Sequence, residues 1–124
     1  MAGKLSTHVL DTASGCPAGG VRVTVYSIDP DAHAKDGGGA VRLRSVVTNA
    51  DGRTDGPLLD GPRFMAGRYR IEFAVGDYFA ARGHPDARRF LDVVPIAFTV
   101  DDASAGYHVP LLVSPWAYST YRGS

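Results

Sequence analysis

The sequence predicts a mainly β protein of one domain, a two-sheet antiparallel β-sandwich with one short helix. Apolar and polar residues alternate with a period of two through most of the chain, the pattern of strands buried on one face. Fifteen glycines and eight prolines fall mostly between those runs and divide them into short elements. A length of 124 residues suits a single domain, spanning 1–124, that can bury a core without disulfide staples.

The elements follow in order. "KLSTHVL" (4–10) sets Leu5, Thr7 and Val9 against Ser6, His8 and Leu10, and "VRVTVYSI" (21–28) sets Val21, Val23 and Val25 against Arg22, Thr24 and Tyr26. The polar segment "DPDAHAKDGGGA" (29–40) reads as a loop or hairpin tip. "VRLRSVVTN" (41–49) resumes the alternation, with Val41, Leu43, Ser45 and Val47 opposite Arg42 and Arg44, and runs into the tight-turn sequence "NADG". "GRYRIEFAV" (67–75) places Tyr69, Ile71, Phe73 and Val75 opposite Arg68, Arg70 and Glu72. "DYFAARG" (77–83) reads as the helix, with Asp77 as N-cap and Gly83 as its stop. Two long runs, 90–100 and 106–123, close the chain; Ser114-Pro115 interrupts the second, because proline cannot donate into a strand ladder.

Composition narrows the function. Thirteen basic and thirteen acidic residues balance, so affinity for nucleic acid through excess positive charge is not expected. The first fifteen residues lack a leader-like apolar core and no stretch approaches a membrane span, which predicts a cytoplasmic protein without a membrane partner. The single cysteine, Cys16, excludes an internal disulfide, and "SGCP" reads as a turn rather than a nucleophile site. The segment at 29–40 has two aspartates at calcium-loop spacing, but His33 and Ala34 occupy the places of the third ligand and the turn glycine. No metal-ligand spacing is evident, and "GGG" at 37–39 lacks the residues of a phosphate loop.

His33 and His84 read as solvated surface residues. His8 and His108 differ, because alternation puts each mid-strand on the face opposite the apolar residues. Leu10, Pro110 and Leu112 share that outward face, which makes it too apolar for simple solvent exposure and suggests a subunit interface. A histidine desolvated there can be tuned as a general base. Arg53, following "NADG", projects from a turn, where its fork of donors could meet a carbonyl that gains negative charge.

The segments "LSTHVLDTASGCPAGGV", "TNADGR", "GDYFA" and "YHVPLLVSPWAYSTYRGS" together resemble the 5-hydroxyisourate hydrolases, the transthyretin-related enzymes of purine catabolism. The terminal "YRGS" is the most specific of these, since transthyretin itself lacks that ending. The resemblance implies a transthyretin-like (prealbumin-like) sandwich assembled as a homotetramer, a dimer of dimers whose facing sheets enclose a channel. It implies catalytic His8, Arg53 and His108, and substrate contacts from His8, Arg53, Ser119, Tyr121, Arg122 and Ser124. The implied reaction opens the ring of 5-hydroxyisourate to 2-oxo-4-hydroxy-4-carboxy-5-ureidoimidazoline with neither cofactor nor metal. Two other readings compete: a transthyretin-like carrier of an aromatic ligand, and an immunoglobulin-like interaction module.

Overall fold

The structure is a computed structural model that describes residues 3–28 and 39–123. His33, most of the 29–40 segment with its calcium-like spacing, and Ser124 lie outside the described residues. Nine strands are found among the described residues: β1 (Lys4–Asp11), β2 (Cys16–Pro17), β3 (Arg22–Ile28), β4 (Ala40–Val47), β5 (Leu59–Asp60), β6 (Gly67–Ala74), β7 (Val93–Val100), β8 (Tyr107–Val113) and β9 (Tyr118–Thr120). One α-helix, α1 (Val75–Ala81), is found among the described residues and follows β6 directly. The first sheet runs β2-β1-β8-β9, with β5 also paired to β1; the second runs β4-β3-β6-β7.

Alternation built this sandwich as expected. Leu5 and Val9 of β1, Val23 and Val25 of β3, Ile71 and Phe73 of β6, and Leu111 of β8 are fully buried between the sheets. Burial of such side chains contributes about 1.5–3 kcal/mol each before the entropy of ordering the chain is subtracted. One pairing departs from the antiparallel expectation: β1 and β8 run parallel over seven register positions, from Leu5↔Tyr107 to Asp11↔Val113. Local alternation cannot distinguish parallel from antiparallel neighbours, and here the parallel register sets Ser6 opposite His108.

Strand β4 corrects a second expectation. A register shift interrupts its pairing with β3, so that Val25 faces Arg44 while Tyr26 faces Arg42. The irregularity flips the side-chain parity. Leu43 and Val46 pack on the core, Ser45 bonds Thr24 across the strands at 3.2 Å, and Val41 and Val47 are exposed. The long run at 90–100 also starts later than its apolar composition suggests: β7 begins at Val93, and Phe90 stays exposed, stacked on Trp116.

The helix begins at Val75 rather than after Asp77. Its N-cap is Ala74, without a side-chain cap, and Asp77 sits in the first turn, where its carboxylate pairs with Arg88. Val75 belongs both to the buried face of the β6 run and to the helix, a dual role that alternation does not reveal. Its C-terminus behaves as predicted. Gly83 is left-handed (φ 72°), its N–H donates to the Ala80 carbonyl at 3.0 Å, and the His84 N–H donates to that of Phe79 at 2.9 Å. The His84 ring packs edge-on against Phe79, which explains this histidine as part of the helix stop.

Asp11, at the end of β1, is buried and ties the first sheet to the helix. It accepts from the Ala13 and Ser14 N–H groups, each at 3.0 Å, and from the Tyr78 hydroxyl at 2.8 Å. Burial alone would raise its pKa, but the hydrogen bonds led by the Ser14 N–H outweigh it and hold the carboxyl below its ordinary value. Burial and the adjacent Asp11 raise the Tyr78 hydroxyl well above the usual tyrosine range.

Candidate active site

The site assembles from a turn laid against β1. In "TNADGR", Thr48 is buried and anchors the base of the turn: its hydroxyl donates to the Ala18 carbonyl at 2.7 Å and accepts from the Val21 N–H at 2.9 Å. The Asn49 side-chain oxygen then accepts from the N–H groups of Asp51 (2.9 Å) and Arg53 (3.2 Å), which closes the turn. Gly52 adopts a left-handed φ of 74° and lies so close to β1 that a Cβ would come within 2.3 Å of the Val9 carbonyl oxygen. The Val9 N–H donates to the Gly52 carbonyl at 2.8 Å. Glycine is needed twice here, for its backbone angle and for the close approach, and the result is a β-bridge between Arg53 and His8.

His8 is oriented by the same turn. Its Nε2 lies 2.9 Å from the Asp51 carbonyl oxygen, which can only accept, so Nε2 carries a proton and the neutral ring keeps its lone pair on Nδ1. His108 stands on the neighbouring strand, opposite Ser6 and two positions from the residue that faces His8. Strand geometry puts the two histidine Cα atoms roughly 8 Å apart on one face of the sheet. His108 Nδ1 lies 2.8 Å from the Ser6 hydroxyl. Burial, then the positive charge of Arg53, then His8, hold the His108 pKa below 6.5, so its imidazole is neutral at neutral pH.

The chain terminus completes the setting. Beyond β9 the β8 register continues, and Gly123 bridges to His108 with its N–H 2.6 Å from the His108 carbonyl oxygen. A Cβ at Gly123 would lie 2.7 Å from His108 Cδ2 and 3.1 Å from its Cβ, so the glycine of "YRGS" leaves room for the imidazole. Arg122 fixes this terminus from the opposite face. Its guanidinium stacks 4.1 Å above the Tyr107 ring and donates to the Gly106 carbonyl at 3.1 Å.

His8, Arg53 and His108 are therefore brought together, as expected from the sequence. Of the other residues expected to contact substrate, Ser119 and Arg122 lie apart from this group within one chain. Ser119 pairs with Leu112, four residues or roughly 13 Å along β8 from His108. Arg122 is engaged on the Tyr107 side, and exposed Tyr121 borders a groove of about 220 Å³ between β7 and the chain end. Ser6 and Asp51 were not singled out from the sequence, and Gly123 entered only as part of the "YRGS" motif. For Ser6 a signal existed, because it shares the outward face of β1 with His8; for the other two, only contacts across the fold reveal the role.

A cleft of about 270 Å³ opens beside the group, lined by Lys4, Ser6, Arg53, Thr54 and Pro57 among others. The Arg53 guanidinium has no hydrogen-bond or ion-pair partner among the described residues, and neither do His8 Nδ1 and His108 Nε2. A neutral His108 imidazole beside an unpaired guanidinium can accept a proton and stabilise an oxyanion. Among the described residues, no cluster of three or more His, Cys, Asp or Glu could hold a metal ion, and no helix is long and apolar enough to cross a membrane.

Fold and site together define a transthyretin-like sandwich with a cluster of two histidines and an arginine on one sheet face. The chain belongs to the HIUase/Transthyretin family, whose family model matches residues 5–123. It is 51% identical to a protein named 5-hydroxyisourate hydrolase from Ralstonia nicotianae, over 98% of this chain and 99% of that one. Among solved structures it resembles (S)-allantoin synthase, with 44% identity and a TM-score of 0.88; it covers 44% of that longer chain, which in turn covers 99% of this one. Sea bream transthyretin, solved in complex with thyroxine, is 30% identical with a TM-score of 0.82, over 97% of this chain and 94% of that one.

Proposed function

We propose that this protein hydrolyses 5-hydroxyisourate, opening its ring to 2-oxo-4-hydroxy-4-carboxy-5-ureidoimidazoline without a cofactor or metal. The observation that carries the reading is the convergence of His8, Arg53 and His108 with reactive nitrogens left unpaired, in a family whose similar members bear that hydrolase name.

In the proposed mechanism neutral His108 takes a proton from a water whose oxygen adds to the ring carbonyl between nitrogen and carbon. Arg53 stabilises the oxyanion that forms and holds the flat, oxygen-rich substrate in place. Collapse breaks the carbon–nitrogen bond, the nitrogen leaves with the proton returned by His108, and the carbonyl carbon becomes the new carboxylate. His8 orients the water or the substrate through Nδ1.

The working form in this proposal is a cytoplasmic homotetramer, a dimer of dimers with the histidine-bearing sheets facing one another. The partly apolar face carrying Leu10 and Leu112 beside the histidines supports it. Ser119, Tyr121 and Ser124 would contact substrate from across such an interface, whereas Arg122 secures the terminus.

The test generates 5-hydroxyisourate freshly from urate and follows its decay. Decay accelerated by the protein well beyond the spontaneous rate supports the hydrolase, and unchanged decay at neutral pH overturns it. A carrier would bind an aromatic ligand without consuming it. Light scattering after size exclusion should give four chains per particle.

A further inference from the structure

Resting on the hydrolase reading, we propose that Ser6 is a positioning residue for the reaction: its hydroxyl oxygen accepts a hydrogen bond from His108 Nδ1–H and thereby reserves His108 Nε2 for the reacting proton. The contact is 2.8 Å long, partly buried, and joins residues 102 positions apart in the chain. It is built into the sheet rather than left to a mobile side chain, since Ser6 and His108 are direct partners in the parallel β1–β8 ladder. The adjacent pair is locked as well, with the Thr7 hydroxyl donating to the Val109 carbonyl at 2.7 Å. On the other side of the ring, Gly123 confines Cδ2 and Cβ. The imidazole is thus held between β1 and the chain terminus.

A serine hydroxyl can donate or accept, and the direction decides the chemistry. If Ser6 donated to Nδ1, neutral His108 would carry its proton on Nε2 and could not act as a base there. With Nδ1–H donating to Ser6, Nε2 holds the lone pair. When Nε2 takes the water proton, both ring nitrogens carry hydrogen, and the Nδ1–H bond to Ser6 survives unchanged. No reorientation is needed during the transfer. Among the described residues, the charged and titratable groups around the ring are His8 on β1, Arg53 on the docked turn, and Lys4 two residues from Ser6; Gly123 contributes none, and Arg122 lies on the opposite face.

Ser6→Ala and Ser6→Thr in the full chain test the proposal by steady-state kinetics on fresh 5-hydroxyisourate, a pH–rate profile, and nitrogen NMR of the His108 side chain. Ser6→Ala should lower kcat about tenfold with KM changed less than about twofold, the size of one lost hydrogen bond. Its acid limb should move to lower pH, because the lost acceptor favoured the charged ring, and the Nδ1–H tautomer should decline. Ser6→Thr, which keeps the hydroxyl, should restore all three. Wild-type kcat and tautomer in Ser6→Ala overturn the proposal, as does a Ser6→Thr variant as impaired as Ser6→Ala. Absence of hydrolysis by the wild type overturns the hydrolase reading and Ser6's part in it, whereas an unchanged tautomer in an impaired Ser6→Ala overturns the Ser6 contact alone.

Discussion

The outward faces of the two sheets both carry polar groups, yet they use them in opposite ways. On the second sheet several of the charges are satisfied within the face. Arg70 pairs with Glu72 at 2.9 Å and lies over the Tyr26 ring, and Arg22 donates to Ser45, which also bonds Thr24. On the first sheet each histidine is held by one nitrogen only, His8 through Asp51 and His108 through Ser6, while Arg53 is positioned through its backbone. Saturated charges solvate a surface; oriented groups with unused valence can act on a substrate. Counting polar residues would not separate the faces, but asking where each hydrogen bond goes does.

The contrast breaks first at the first sheet. His8→Ala and Arg53→Gln should each lower kcat/KM by about 10²–10⁴, with retained secondary structure by circular dichroism and retained assembly by light scattering. Full activity in both would erase the distinction between the faces. Gly123→Ala should follow, at about 10–10² in kcat, because the added methyl displaces the His108 ring with little effect on the melting temperature.

The pH–rate profile sharpens the comparison further. Since burial, Arg53 and His8 lower the His108 pKa, the midpoint of the wild type's acid limb should lie below pH 6.5. Removing the Arg53 charge in Arg53→Gln should let the pKa rise and move the acid limb to higher pH. An unmoved limb would dissociate Arg53 from His108 electrostatically.

Stability effects complete the series. Asp11→Asn should cost about 1–3 kcal/mol in denaturant unfolding by weakening the buried link to Tyr78 and the turn. The Asp11 pKa is depressed in the folded state, so its contribution is present above the unfolded value of 3.8 and is lost as pH falls through the lower folded value. The smallest effect belongs to the second sheet: Arg70→Gln or Glu72→Gln should change stability by at most about 1 kcal/mol and leave turnover unaltered.

Much of this was legible in the sequence where one local rule governed the outcome. Alternation in β1, β3, β6 and β8 marked the buried and outward faces, "NADG" marked its turn, and Gly83 marked the helix stop. It failed where tertiary context overrode the local pattern. The bulge in β4 reversed the expected parity around Ser45, and Val75 was at once a strand-face residue and the first residue of a helix. Among site residues, His8 and His108 stood out by type and face. Arg122 carries a side chain suited to substrate but is held by Tyr107 and Gly106, partners that periodicity does not identify.

By itself the sequence determined the β class, the outward position of His8 and His108, and the turn that carries Arg53, because each depends on side-chain period or on backbone angles that few residues accept. The tertiary structure alone decided that β8 lies parallel to β1, that the turn docks through Gly52, and that the terminus returns to His108 through Gly123. Those are contacts between residues about 15 to 100 positions apart, set by which strands share an edge, and no local preference encodes them.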